Sequence, residues 1–154
     1  MYKNSWNRWH TVMLIYVSFI YMNSLTPAAV SSQESGFLLT KLMAAMEALG
    51  WDALWLTEHI LRKSAHFVEY AVLGCVMAQA FRAGRTPAAG KCRHWGALVF
   101  AIPFIDETIQ LFVPGRSGQI SDVWLDMLGT AGGILFMACL VLWTGRAGKA
   151  GKAR

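Results

Sequence analysis

The chain has 154 residues, of which 55% are apolar and only 15% are charged, with seven Trp and eight Phe. This length suits a single domain, and the composition is typical of a membrane protein. The net charge of +5 does not indicate nucleic-acid binding, because the basic residues lie mainly at the ends of apolar runs, where membrane topology signals occur.

The first apolar run predicts a transmembrane helix over residues 9–26. At about 17 residues it is near the lower limit for crossing a bilayer. A cleaved signal peptide is the alternative, since Pro27-Ala28-Ala29 resembles a small-residue cleavage zone. An uncleaved helix is favoured because Tyr16, Tyr21 and Asn23 make a poor signal core. Both interpretations place residue 30 outside the cytoplasm.

The segment from Val30 to Glu58 predicts a loop over residues 31–36 and then an amphipathic helix. Trp51 and Trp55 follow this helix, and Trp favours the membrane interface. We therefore expect the helix to lie flat on the outer membrane surface or to pack as a cap on the other helices. The apolar residues that recur at spacings of three and four are Leu38, Leu42, Ala45, Met46 and Leu49.

Three further apolar runs predict spans over residues 62–82, 95–113 and 120–143. A basic loop with Gly and Pro separates the first two of these, and residues 114–118 predict a turn before the last. Pro103 predicts a kink in the third span. Residues 146–154 are basic and rich in Gly and Ala, which predicts a disordered tail.

The positive-inside rule orients these spans. With a cytoplasmic N-terminus, ten of the fourteen lysines and arginines fall inside, and all nine acidic residues fall outside or in the outer halves of spans. The sequence thus predicts an all-α, polytopic, single-domain fold over residues 1–154, with four transmembrane helices, one outer interfacial amphipathic helix and both termini cytoplasmic. The ten inner residues are Lys3, Arg8, Arg82, Arg85, Lys91, Arg93, Arg146, Lys149, Lys152 and Arg154.

Polar residues share one face on each of the last three spans, at helical spacings of three and four. The carboxylates lie about 10 Å from the outer end of each span. A charge near a bilayer centre costs about 2.5–3.5 kcal/mol even on lenient scales, so this agreement predicts a polar pocket that opens outward and is closed below. The residues are Arg62, His66, Glu69 and Tyr70, then Asp106 and Gln110, then Asp122 and Asp126.

Three separated motifs resemble the VanZ-like family of bacterial membrane proteins over roughly residues 60–140. The family often has Asn where this chain has Asp126. The resemblance implies a small multi-pass protein of the bacterial cytoplasmic membrane, and the founding member is linked to low-level teicoplanin resistance. The motifs are Lys63-x-x-His66-Phe67-x-x-Tyr70-x-x-Leu73-Gly74, then Asp106-Glu107-x-x-Gln110 with Pro114-Gly115-Arg116, then Asp122-x-x-x-Asp126-x-x-Gly129.

Several candidate residues admit two roles. His66 with Glu69 is a candidate general acid–base pair or metal-binding pair, or else a structural hydrogen bond between spans. Arg116 either holds a lipid phosphate or snorkels and fixes the topology. The pattern Gly129-x-x-x-Gly133 is most simply a helix-packing motif. The acids Asp106, Glu107, Asp122 and Asp126 either bind a divalent cation or form a salt-bridge network with Arg62, Lys63 and Arg116.

These observations predict that the pocket binds an anionic membrane lipid or a lipid-linked cell-wall precursor. An intramembrane enzyme that modifies such a lipid is the first alternative, with His66, Glu69, Asp106 and Glu107 as candidate catalytic residues. A structural role in an envelope complex is the second. No nucleic-acid partner is expected, and no cofactor, since a P-loop, CxxC and His-x-x-x-His are all absent. The candidate ligand-binding residues are Arg62, Lys63, Tyr70, Gln110, Arg116, Asp122 and Asp126.

Overall fold

A computed structural model of the protein describes residues 7–83 and 88–151, with side chains for residues 7–83 and 93–144. This part of the chain is all-helical, which confirms the all-α part of the predicted fold. Residues Lys3, Arg85, Lys152 and Arg154 of the topology prediction lie outside it. The five helices are α1 (Arg8–Ser24), α2 (Ala28–Ala48), α3 (Glu58–Ala83), α4 (Ala88–Gln110) and α5 (Ile120–Gly151).

Helix α2 begins earlier than the sequence predicted, so residues 31–36 are helical and not a loop. Pro27 lies directly before its first residue, where the fixed φ of proline suits a helix start, and Ala28 and Ala29 are strong helix formers. The helix ends in a Schellman motif, in which Gly50 has a φ of +74°. There the N–H of Trp51 donates to the carbonyl of Met46 at 2.9 Å.

Two other helices extend beyond their predicted ends. Helix α4 already begins at Ala88, and α5 continues to Gly151, so residues 146–151 of the predicted disordered tail are helical. Extending an existing helix needs no new nucleation, and Ala, Arg and Lys favour it. Helix α4 also runs through Pro103 as one element, with the proline inside it.

Helices α3 and α5 form the central pair of the bundle, and glycines let their backbones touch. A Cβ atom added to Gly133 would lie 1.9 Å from the carbonyl oxygen of Ala71, and one added to Gly129 would lie 2.6 Å from that of Phe67. On α3, a Cβ atom at Gly74 would lie 2.1 Å from the carbonyl oxygen of Thr130. These contacts confirm that the glycines of α5 serve helix packing.

Helix α1 packs against α3 and α4, and α4 packs against α5. Two tyrosine hydroxyls of α1 join these helices, with Tyr16 donating to the Glu69 carbonyl at 3.1 Å and Tyr21 to the Ile102 carbonyl at 3.3 Å. The buried apolar core between them consists of Met13, Ile20, Tyr70, Leu73, Met77 and Ile102.

The bundle exposes large apolar side chains and buries several polar ones beside its apolar core. Large side chains such as Ile15, Phe104 and Leu135 are exposed, whereas Asp106 and Asp126 are fully buried. Residues 120–144 of α5 are long and apolar enough to cross a membrane alone, while α1 and α2 meet that test only as a pair bent by 100°. This exterior indicates a membrane protein, since water-soluble monomers rarely expose large apolar patches.

Candidate functional site

The interior polar layer is built from α1, α4 and α5. Asp106, Glu107 and Gln110 are buried on the last turns of α4, and Ser24 is buried at the end of α1. The Gln110 amide joins them, since its Nε2 donates to Glu107 Oε1 at 3.2 Å, and to Ser24 Oγ and Asp106 Oδ2 at 3.4 Å. Gln110 therefore bonds to both neighbouring carboxylates, of which the sequence pattern had placed only Asp106 on the same helix face.

The Glu107 carboxylate connects α4 to the start of α5. Its Oε2 accepts a hydrogen bond from the backbone N–H of Gln119 at 2.9 Å, directly before the first residue of α5. A negative charge at a helix N-terminus interacts favourably with the helix dipole. Gly118 permits this approach, because a Cβ atom there would lie 2.3 Å from the Glu107 carbonyl oxygen.

The connection between α4 and α5 contains a tight turn, as the sequence predicted. The N–H of Arg116 donates to the Val113 carbonyl at 3.1 Å, and Gly115 has a φ of +76°. Pro114 and Gly115 at the central positions match a type II turn. The turn also contacts the start of α2, since the Ala28 N–H donates to the Pro114 carbonyl at 3.3 Å.

The Arg116 side chain bonds to the α1–α2 corner. Its Nε donates to the Thr26 carbonyl at 2.8 Å and its Nη2 to the Asn23 carbonyl at 3.3 Å. Partial burial lowers the pKa of this guanidinium from its ordinary value, but arginine stays protonated in proteins. Both acceptors are neutral carbonyls, and the Arg116 side chain forms no ion pair with the described residues. Arg116 thus has a bonding role that neither sequence-based alternative included.

Two adjoining cavities lie beside this corner, with volumes of about 80 Å³ and about 280 Å³. Ser31, Arg62, His66 and Arg116 line both of them. Of the other predicted site residues, Glu69 lines the larger cavity, while the smaller one is lined by Lys63, Gln110 and Asp122. Tyr70, Asp106, Glu107 and Asp126 line neither cavity. The residues predicted to form one pocket therefore divide into two groups: some line the cavities, and the others form a buried layer below them.

The charges at the cavities are unevenly balanced. Lys63 forms a salt bridge with Asp122, which is the ion pair that the sequence analysis considered for these acids. Arg62 is exposed and has neither a hydrogen bond nor an ion pair with the residues that the structure describes. Arg62 and Arg116 therefore leave positive charge at the cavity, because neither is paired with a carboxylate.

His66 lies next to a different carboxylate from the one predicted. One ligand atom from His66, one from Asp106 and one from Asp126 all lie within 4.8 Å of one another. Glu69 accepts a hydrogen bond from Asn23 Nδ2 at 3.0 Å instead. The four acids predicted as possible cation ligands are therefore not one group, because Asp122 pairs with Lys63 and Glu107 accepts from the Gln119 N–H. Chemically, the remaining cluster could accept a proton or hold a metal ion.

Sequence reasoning missed several residues of the site, among them Asn23, Ser31, His59 and Gln119. His59 could have been found, because it precedes Arg62 and His66 by three and seven residues and so shares their helix face. The other three lie on the α1–α2 corner and the α4–α5 connection, where helical spacing gives no signal. They join the site only because the corner folds over the ends of α3 and α5.

The fold and site define a class of small helical membrane proteins with a buried carboxylate layer below a basic cavity. The chain belongs to the VanZ/LLP1 family, whose model matches residues 9–142. No curated protein and no solved structure matches the chain.

Proposed function

We propose that this protein binds the anionic headgroup of an envelope lipid, or of a lipid-linked cell-wall precursor, in the smaller of the two cavities, which we call the basic cavity. The observation that carries the proposal is the convergence of five basic or potentially basic side chains on that cavity, with a single carboxylate among its lining residues. The five are His59, Arg62, Lys63, His66 and Arg116, and the carboxylate is Asp122.

Helix N-termini add to the positive potential of the cavity. Ala28 belongs to the first turn of α2, His59 to that of α3 and Asp122 to that of α5, and all three line the smaller cavity. A helix N-terminus carries about half a positive charge and unpaired N–H groups that suit phosphate oxygens. Arginine adds a planar, bidentate donor for the same oxygens.

The membrane arrangement completes the proposal. Four spans, formed by α1, α3, α4 and α5, would place the cavity at the outer face with both termini inside, since α3 and α5 then enter from outside. Each of these helices exposes large apolar side chains, for example Phe19, Val68, Phe100 and Phe136. Helix α2 would lie along the outer interface, over the end of α3 that it contacts.

Lipid selectivity of the purified full-length chain tests the proposal. Native mass spectrometry would compare phosphatidic acid with zwitterionic phosphatidylcholine, and we expect wild type to prefer the anionic lipid. Arg62→Ala should lower this affinity about 10- to 100-fold, because a hydrogen bond to a charged group contributes about 1.5–3 kcal/mol. Arg82→Ala removes the same charge from an exposed position at the far end of α3 and should have no effect.

Two results would exclude headgroup binding at this cavity. The first is a wild-type protein that binds both lipids equally well. The second is equal affinity loss in Arg62→Ala and Arg82→Ala, which would indicate charge attraction without a defined site. If resistance depends on this cavity, a deletion strain rescued with Arg62→Ala should be as susceptible to teicoplanin as the deletion strain itself.

A second candidate function is acid–base chemistry on the bound lipid. It is favoured by His66, which lines both cavities and also lies within 4.8 Å of two carboxylate ligand atoms. A deletion strain rescued with His66→Ala would accumulate the unmodified lipid, whereas rescue with His94→Ala, which changes an exposed histidine that lines neither cavity, would not. A normal lipid profile in the His66→Ala strain would reject this candidate.

A further inference from the structure

Three side chains from three helices meet below the cavity. His66 comes from α3, Asp106 from α4 and Asp126 from α5, and one ligand atom of each lies within 4.8 Å of the other two. Both carboxylates have zero exposure, and His66 is partly buried. The residues are far apart in sequence, so the folded bundle alone brings them together.

The two carboxylates of this cluster have fewer hydrogen bonds than buried carboxylates normally have, since Oδ2 of Asp106 accepts from Gln110 and the other three oxygens accept from no described residue. Among the residues that the structure describes, neither oxygen of Asp126 has a hydrogen-bond partner, and Oδ1 of Asp106 has none. The Tyr70 hydroxyl lies beside Asp106 but does not make a well-formed hydrogen bond with it. The charged groups that act most strongly on Asp126 are other carboxylates, namely Glu107 and Asp106. Buried charges are normally paired with an opposite charge or bound to a metal.

We propose that His66, Asp106 and Asp126 bind one divalent transition-metal ion of the Zn²⁺ or Mn²⁺ kind. Imidazole suits zinc-like ions, and carboxylates suit manganese as well. At metal–ligand distances of about 2.0–2.2 Å, two ligands of one ion lie at most about 4.4 Å apart. The limit of 4.8 Å in the structure is close to this value, so small side-chain movements bring all three ligands onto one ion.

The ion would also connect the buried layer to the cavity above it. Three protein ligands leave at least one coordination position open, as in metal sites that bind a substrate or water. His66 belongs both to the cluster and to the cavity wall, so it would be the ligand that links the ion to the cavity. The metal site itself does not rest on the proposed lipid ligand, since its three protein ligands all belong to this chain.

Metal uptake by the full-length protein tests the site without any lipid ligand. The protein carries a purification tag without histidine, is stripped with a chelator in detergent, and is titrated with Mn²⁺ and Zn²⁺ separately. Wild type should bind one ion per chain. Asp126→Asn and His66→Gln should each weaken binding at least tenfold, since even the loss of a residue that only orients a ligand costs about 10- to 100-fold.

Matched controls separate this site from surface binding. Asp52→Asn makes the same chemical change at an exposed position, and His59→Gln removes a histidine of the same cavity that is not in the cluster. Both should bind metal as wild type does. Thermal unfolding shows whether the variants fold, and the metal should raise the unfolding temperature of wild type but not of Asp126→Asn.

Two results would overturn the metal site. One is wild-type protein that takes up neither ion, which means that the carboxyl groups are protonated and form no metal site. The other is Asp126→Asn protein that is folded and binds as tightly as wild type. Because lipid selectivity is measured separately with Arg62→Ala, failure of the metal site leaves the headgroup proposal intact, and the reverse also holds.

Discussion

The two ends of the helix bundle both contain cavities, but their chemistry differs. At the end near the Pro114 turn, the cavity is lined by basic side chains and lies above buried carboxylates. At the opposite end, a cavity of about 430 Å³ is apolar except for Arg82. Its apolar lining comes from Met77, Ala78, Phe81, Trp95, Gly96, Val99, Ile134, Met137 and Ala138.

This contrast shows that loose packing alone does not mark a functional site. Helices that cross at one close contact diverge on both sides of it, and the glycines of α3 and α5 provide that contact here. What distinguishes the end with the basic cavity is that buried carboxylates remain there although their desolvation is costly. Four substitutions test this contrast.

The largest loss in the free energy of unfolding is expected from a substitution between the two ends, where α3 and α5 touch. In Gly133→Ala, the new methyl group would lie 1.9 Å from the Ala71 carbonyl oxygen. The helices must then separate, and we expect a loss of at least about 3 kcal/mol in the free energy of unfolding, at the upper end of overpacking effects. Thermal unfolding of the full chain in detergent measures this.

Gly132→Ala is the matched control for that substitution. Its added methyl group would lie 3.9 Å from Phe67 Cζ, which is an ordinary contact. Alanine is favoured over glycine in a helix by about 1 kcal/mol, so this variant should be as stable as wild type or more stable. Equal loss of stability in both variants would mean that the close backbone contact does not hold the helices together.

Arg116→Ala, at the end with the basic cavity, should cause a smaller loss in the free energy of unfolding. This change removes the two hydrogen bonds to the Thr26 and Asn23 carbonyls that hold the α1–α2 corner. One hydrogen bond from a charged group contributes about 1.5–3 kcal/mol, and the bond to Asn23 is the longer one and is exposed. We therefore expect a loss of about the size of one such bond in unfolding free energy, measured by thermal unfolding. Arg62→Ala should keep the stability of wild type, because Arg62 has no partner among the described residues.

The sequence predicted the polar layer because it depends on helix period alone. Asp106 and Gln110 share a face at i and i+4, as do Asp122 and Asp126, and the structure buries three of these four residues. The prediction for the glycines of α5 was also correct, since only close helix packing explains small residues at that spacing.

The sequence could not predict which residues pair with each other. Glu69 and Asp106 have similar surroundings in sequence, yet Glu69 bonds to Asn23 of α1 while Asp106 meets His66 of α3. These partners depend on how the helices rotate against one another, which residue spacing does not specify. The 100° bend between α1 and α2 likewise has no sequence signal beyond Pro27.

A substitution at the apolar end should affect stability without affecting ligand binding. The Trp95 ring lies 5.9 Å from that of His10 and 6.1 Å from that of Phe81, between centroids. Aromatic pairs contribute about 0.5–1.5 kcal/mol each, so Trp95→Leu should lower the unfolding free energy by about 1–2 kcal/mol. Selectivity for phosphatidic acid should stay that of wild type. If it falls as far as in Arg62→Ala, the two ends are not independent.

The smallest effect on stability is expected from Glu107→Gln, which tests the division within the acidic layer. The amide oxygen can still accept the Gln119 N–H, but the new amide nitrogen cannot accept from Gln110 Nε2 as Oε1 of Glu107 does. The charge at the start of α5 and one hydrogen bond are lost, at a cost of about 1 kcal/mol. Since Glu107 is not among the three clustered ligands, metal titration of Glu107→Gln should show less than a tenfold change, whereas Asp106→Asn should abolish binding. These two carboxylates are neighbours in sequence and both are buried, so burial alone cannot explain a difference between them. Equal metal affinities in the two variants would mean that the layer attracts cations through its total charge and not through a defined set of ligands.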